Sequence, residues 1–130
     1  MSLKENKDFG LFLLRLALAL VFIAHGWAKL NGLDATEAFF SNVGIPAASS
    51  MAILVGLVEF LGGLAMLLGV FTSWAGGLIA VVMLVAILQV KLGKGFLGGY
   101  EFDLTLLLAA LSVIFLGAGD WTVKKFMRRS

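Results

Sequence analysis

A chain of 130 residues that is 61% hydrophobic and only 14% charged is too apolar for an ordinary soluble domain, which would be nearer half apolar and a quarter charged. The net charge of +2 and the pI of 9.2 do not point to nucleic acid, because the basic residues gather at the two ends of the chain. The absence of cysteine excludes disulfides, thiolate catalysis and cysteine-ligated metal within the chain, so any redox chemistry must use a bound cofactor or a partner.

Four apolar runs approach the roughly 17–25 residues that a membrane-spanning helix needs, and none alternates with the period of two that a membrane barrel requires. The first span is predicted over residues 9–30. It is longer than the roughly 7–15-residue core of a signal peptide and has no small-x-small cleavage site, so an uncleaved span is expected. Arg15 lies inside it. Eleven Leu, Ile, Phe or Val side chains between residues 9 and 28 favour insertion by roughly 3–7 kcal/mol. An arginine at a helix centre costs about 2.5–3.5 kcal/mol and cancels much of that gain. At 100° per residue, Arg15, Leu18, Phe22, His25 and Lys29 fall within an arc of about 80°, so one stripe holds every ionisable group of the span.

The segment 31–46 reads as a short interfacial helix. Asp34 with Glu37 three residues on suggests a capping box, Gly44 a stop, and Pro46 a bar to continuation. Phe39 and Phe40 are expected to rest on the outer leaflet. The second span, 49–71, carries Glu59 about 14 Å below Ser50, a level between His25 and Arg15. Gly56 and Gly63 flank Glu59 on the same face and leave room for a helix or a ligand. Ala65, Gly69 and Ser73 form a small-residue seam, and Gly62-Gly63 and Gly76-Gly77 add points of close approach. A tight turn at Thr72-Ser73 makes spans two and three an antiparallel hairpin.

The third span, 73–91, has Gln89 as its one strongly polar side chain before Lys91. The glycine-rich loop 91–101 lacks phosphate-loop spacing. The fourth span, 101–119, opens with Glu101 and Asp103, which suit a helix N-terminus. A tail, 120–130, carries Lys124, Lys125, Arg128 and Arg129, and Lys4 and Lys7 precede span one. Against Lys29, Lys91 and Lys94, this bias places both termini in the cytoplasm of a prokaryotic plasma membrane. Trp27, Trp74, Tyr100 and Trp121 read as interfacial belt residues. The fold class expected is all-α: one membrane domain over 1–130, a transmembrane four-helix bundle with a short interfacial helix between spans one and two.

Ionisable groups within spans face a bundle interior or a wet cavity. A polar cavity is therefore expected in the outer half, with Arg15, His25, Lys29, Glu59, Gln89 and Glu101 as its ligand-binding residues. Glu59 and His25 are the candidate catalytic groups. Arg15 is open to three readings: the floor of the cavity, the counter-ion of Glu59, or a side chain snorkelling to the interface. Lys29, Lys91 and Asp103 read equally well as interfacial anchors. A single histidine without a second His or Cys points to no metal.

Together these pieces resemble the DoxX family of small four-helix membrane proteins. The matching residues are Arg15, His25-Gly-Trp-Ala-Lys-Leu30, Val43-Gly-Ile-Pro46, Glu59-Phe-Leu-Gly-Gly-Leu-Ala-Met-Leu-Leu-Gly69, Gly99-Tyr-Glu101 and Gly117-Ala-Gly119. Relatives often carry Ser-x-Asp after the final glycines, whereas here Asp120 follows Gly119 directly. The resemblance implies a polar cluster of Arg15, His25, Lys29, Glu59 and Glu101. Because some family members are subunits of thiosulfate:quinone oxidoreductases and others accompany oxidative or quinone stress, it also implies a quinone as ligand. Three functions are consistent with this reading: a redox-associated subunit binding a quinone-like or other small ligand, a small oligomeric transporter or channel, and a non-catalytic scaffold. The partners expected are the bilayer and either a soluble redox protein or further copies of the chain, with no nucleic acid.

Overall fold

Helix α1 (Leu3–Asn31) starts before the apolar run because Ser2 caps it. The Ser2 hydroxyl accepts from Glu5 N (3.2 Å) and the Glu5 carboxylate accepts from Ser2 N (2.6 Å), a reciprocal capping box. A computed structural model of the protein describes residues 1–129; Ser130, the last position of the expected 120–130 tail, lies outside the described residues. Among the described residues all regular structure is helical. Four helical stretches are long and apolar enough to cross a membrane: Leu3–Asn31, Ala48–Leu68, Thr72–Lys94 and Phe96–Leu116.

Helix α2 (Leu33–Asn42) is the expected short connector, but Asp34 and Glu37 form no capping box. Gly32 is the N-cap, so Asp34 already lies inside the first turn, too late to cap. Gly44 takes φ +84° and Pro46 follows, turning the chain into α3 (Ala48–Leu68). Phe39 is half-exposed, whereas Phe40, expected to rest on the outer leaflet beside it, is buried and packs into the bundle.

Gly69 closes α3 in the left-handed region at φ +73°, and α4 (Thr72–Ala86) begins immediately afterwards. The expected seam of Ala65, Gly69 and Ser73 does not form, because Gly69 is a turn residue and Ser73, beyond it, is exposed. Other glycines bring the spans together. A Cβ on Gly63 would stand 2.7 Å from Ile23 N of α1, and one on Gly26 would collide with the backbone of Phe60 in α3. Gly62 meets Ile79, and Gly76 meets Ile114 and the Ala110 carbonyl of α5 (Glu101–Leu116), while Gly77 faces open space.

Helix α4 continues through a π-helical turn (Ile87–Lys91) and a 3₁₀ turn (Leu92–Lys94). Leu97 and Gly98 then break helical geometry before α5. Gly117, at φ +82°, ends α5, and a short α6 (Val123–Arg129) comes after it. The core runs between all four spans, with Leu18, Phe22, Met66, Ile79, Leu106 and Val113 among its buried members. Asp120 forms ion pairs with Lys4 and Lys125, which brings the start and the end of the chain to the same end of the bundle.

Candidate functional site

The polar groups of the spans separate into two places. Arg15 is fully buried at the terminal end. Its Nε donates to Met66 O (2.9 Å), its Nη1 to Ala118 O (2.7 Å) and Trp121 O (2.9 Å), and its Nη2 to Leu67 O (3.2 Å) and Trp121 O (2.9 Å). These donors fill the carbonyls left open in the last turn of α3 and gather the segment of chain after α5. The cation also sits at the negative end of the α3 dipole. The Phe12 ring lies 5.9 Å below the guanidinium. Arg15 therefore neither snorkels nor pairs with Glu59. Glu59 lies seven residues before Met66, about 10 Å further along α3, while the helix-end carbonyls stand level with the guanidinium.

The second place is a cavity of about 450 Å³ in the opposite half of the bundle. His25, Lys29, Glu59, Lys91 and Asp103 line it, and most of the remaining wall is apolar, including Phe22, Phe40 and Phe102. The expected polar cavity is thus an apolar one with a few ionisable groups. Lys29 Nζ donates to Glu59 Oε2 at 3.1 Å, and Lys91 Nζ stands 3.3 Å from Asp103 Oδ2. Both carboxylates are buried. Gly56 and Gly63 do not leave room for a ligand beside Glu59, because Leu30 and Ile23 of α1 occupy those spaces. Their absent side chains let α1 come close enough for Lys29 to reach Glu59.

Of the six expected ligand-binding residues, the fold brings His25, Lys29 and Glu59 to this cavity. Arg15 is at the other end, Gln89 donates to Val43 O at 3.0 Å, and Glu101 accepts from Gly98 N at 3.3 Å. Gln89 and Glu101 therefore hold the connecting segments in place and do not line the wall. The stripe on α1 also drifts: its buried line passes through Gly26 at the far end, which leaves His25 exposed to one side, 6.4 Å from the Phe102 ring. Lys91 and Asp103 are the members that the sequence presents as anchors. The signal for them in the sequence is a lysine and an aspartate at adjoining span ends; the structure adds that Lys91 closes a π turn, a deviation common at functional sites.

Four apolar spans around a small cavity with paired charges define a multi-pass membrane protein. The DoxX family profile matches residues 10–92, and the chain belongs to the DoxX family. It is 36% identical over 115 residues to the "Putative oxidoreductase CatD" of Bacillus subtilis (strain 168), covering 87% of this chain and 84% of that one. It is 33% identical over 126 residues to the "Uncharacterized membrane protein Rv3486" of Mycobacterium tuberculosis, covering 86% and 77%. It is 37% identical over 70 residues to the "Inner membrane protein YqjF" of Escherichia coli (strain K12), covering 54% and 52%. No solved structure matches the chain at a significant level.

Proposed function

We propose that this protein is a redox-associated component of a prokaryotic plasma membrane, with both termini in the cytoplasm, and that its cavity binds a quinone-like small molecule. The observation that carries the reading is the cavity itself. Its volume falls in the range of ligand sites, roughly 300–1,000 Å³, and apolar walls with a few converging polar groups are what such sites have.

The donor set suits a ring carrying oxygens. Lys29 is partly exposed and has ammonium protons to spare beyond its bond to Glu59, so it would donate to a carbonyl. Phe22, Phe40 and Phe102 supply flat apolar walls for the ring. A quinone, when bound, supplies reversible two-electron chemistry that the side chains of a chain without cysteine do not. His25 and Glu59 stand where they could hold protons for it. The name carried by the Bacillus relative agrees with a redox setting.

The test is binding of a short-tailed benzoquinone to the protein in nanodiscs, followed by changes in quinone absorbance, and mass spectrometry of what the gently purified protein carries. Saturable binding weakened at least tenfold in Lys29→Met/Glu59→Leu is expected. Absence of saturable binding, with no copurified quinone, would sink the reading.

A further inference from the structure

The Asp103 carboxylate is the odd group in the cavity. It lines the wall, its side chain is nine-tenths buried, and Oδ2 is fully buried without a hydrogen-bond partner. Lys91 Nζ balances its charge from 3.3 Å but does not meet hydrogen-bond geometry. Glu59, by contrast, already accepts from Lys29. A buried acceptor without a donor is costly, and a ligand that brings a donor recovers that cost. The two lysines are matched by two carboxylates, so a permanently charged headgroup would meet no counter-charge. The chemistry calls for a neutral headgroup carrying a hydroxyl.

A second observation concerns the side of the bundle. Between α3 and α4 the cavity wall is made of Leu54, Val58, Leu78, Val81 and Val85, with no polar side chain among them. Leu54, Leu78, Val81 and Val85 are also 45–60% exposed on the flank of the bundle, so the cavity opens sideways there. Leu78, Val81 and Val85 are spaced three and four apart and form one stripe on α4; Leu54 and Val58 form its counterpart on α3. In a membrane this opening faces hydrocarbon, which admits an apolar tail and refuses an ion.

We propose that the cavity takes a tailed phenol from the bilayer, with the phenolic hydroxyl donating to Asp103 and the tail lying in the α3–α4 opening. This rests on the cavity being a ligand site and adds the class of ligand: a hydroxyl-bearing ring is held in preference to the same ring without a donor. For a quinone-like ligand, the reduced hydroxyl form is the one retained.

The experiment compares 4-decylphenol with its methyl ether, 4-decylanisole, which can accept but not donate. Binding to the protein in phosphatidylcholine nanodiscs is measured against protein-free discs, so that partition into the bilayer is subtracted. The phenol is expected to bind at least tenfold more tightly than the ether. Lys91→Met/Asp103→Leu, which removes the pair without leaving a lone buried charge, is expected to abolish the difference. Val81→Trp, which fills the side opening, is expected to weaken 4-decylphenol at least tenfold while sparing 4-methylphenol. Equal binding of phenol and ether to the unaltered protein overturns the donor preference. An unchanged affinity in Val81→Trp overturns the side opening as the tail's place. Failure of every probe to bind overturns the ligand site itself.

Discussion

Arg15 and Glu59 are both buried charges, and their partners set what each does. Arg15 spends its donors on backbone carbonyls of α3 and of the chain after α5. Hydrogen bonds to a charged group contribute about 1.5–3 kcal/mol each, though not additively. Arg15→Leu is therefore expected to lower stability by on the order of 3–5 kcal/mol, measured by unfolding in detergent, with Arg15→Lys recovering only part because it lacks the planar fork. Glu59 depends on one partner. Lys29→Met leaves a buried carboxylate unpaired and is expected to cost about 3–5 kcal/mol, whereas Lys29→Met/Glu59→Leu restores most of that loss. If the double variant unfolds as readily as the single one, the pair is not what holds that corner.

Asp120 closes the terminal end through Lys125 and Lys4, and those hydrogen bonds hold its carboxyl down from 3.8 to about 2. A carboxyl with a depressed folded-state value stabilises the fold fully above its unfolded value and loses that contribution as pH falls through the folded one. The contribution is thus constant from neutrality to about pH 4 and disappears toward pH 2. Asp120→Asn is expected to unfold at a lower temperature than the unaltered protein at pH 6, with most of that difference gone by pH 2. A difference of undiminished size at pH 2 would assign Asp120 another role.

At the scale of elements, close approach between spans is set by glycines with helices against them. Gly26 and Gly63 let α1 and α3 touch, and a side chain at either forces the pair apart. Gly26→Ala and Gly63→Ala are each expected to cost about 1–3 kcal/mol. Gly77→Ala, with nothing in reach of its new methyl, is expected to be neutral or to gain up to about 1 kcal/mol from helix propensity. Thermal unfolding of the three variants side by side checks this. The π turn at Ile87–Lys91 belongs to the same scale: Lys91 is its last residue, and its Nζ stands 3.3 Å from Asp103 Oδ2.

Across the whole bundle, one end is tied and the other hollow. Arg15 and Asp120 join α1, α3 and the final segment at one end, while the other end keeps a cavity between helices and is covered by Phe40 and Ile45. A ligand of the hollow end that binds only the folded protein raises its stability by about 2.7 kcal/mol at a hundredfold excess over Kd. The corresponding rise in unfolding temperature is expected for the unaltered protein and is expected to fall by about half or more in Lys29→Met/Glu59→Leu at the same ligand concentration.

The four spans, the hairpin of the middle pair and the short helix before it are all legible in the order of the residues. Bilayer thickness and the need to close every backbone hydrogen bond within the chain leave an apolar run of this length no other structure. His25, Lys29 and Glu59 are legible too, because a charge within an apolar run is visible without any fold. Which charge meets which depends on packing in three dimensions. Arg15's partners are carbonyls, which every residue carries and no sequence marks. By depth along the spans Glu59 stands level with the stretch between His25 and Arg15, and the close packing of α1 against Gly56 and Gly63 gives it Lys29 as its partner. Lys91 and Asp103 look like interfacial anchors in one dimension because both stand at span ends. Only the packing of the end of the third span against α5 places them on a shared cavity wall.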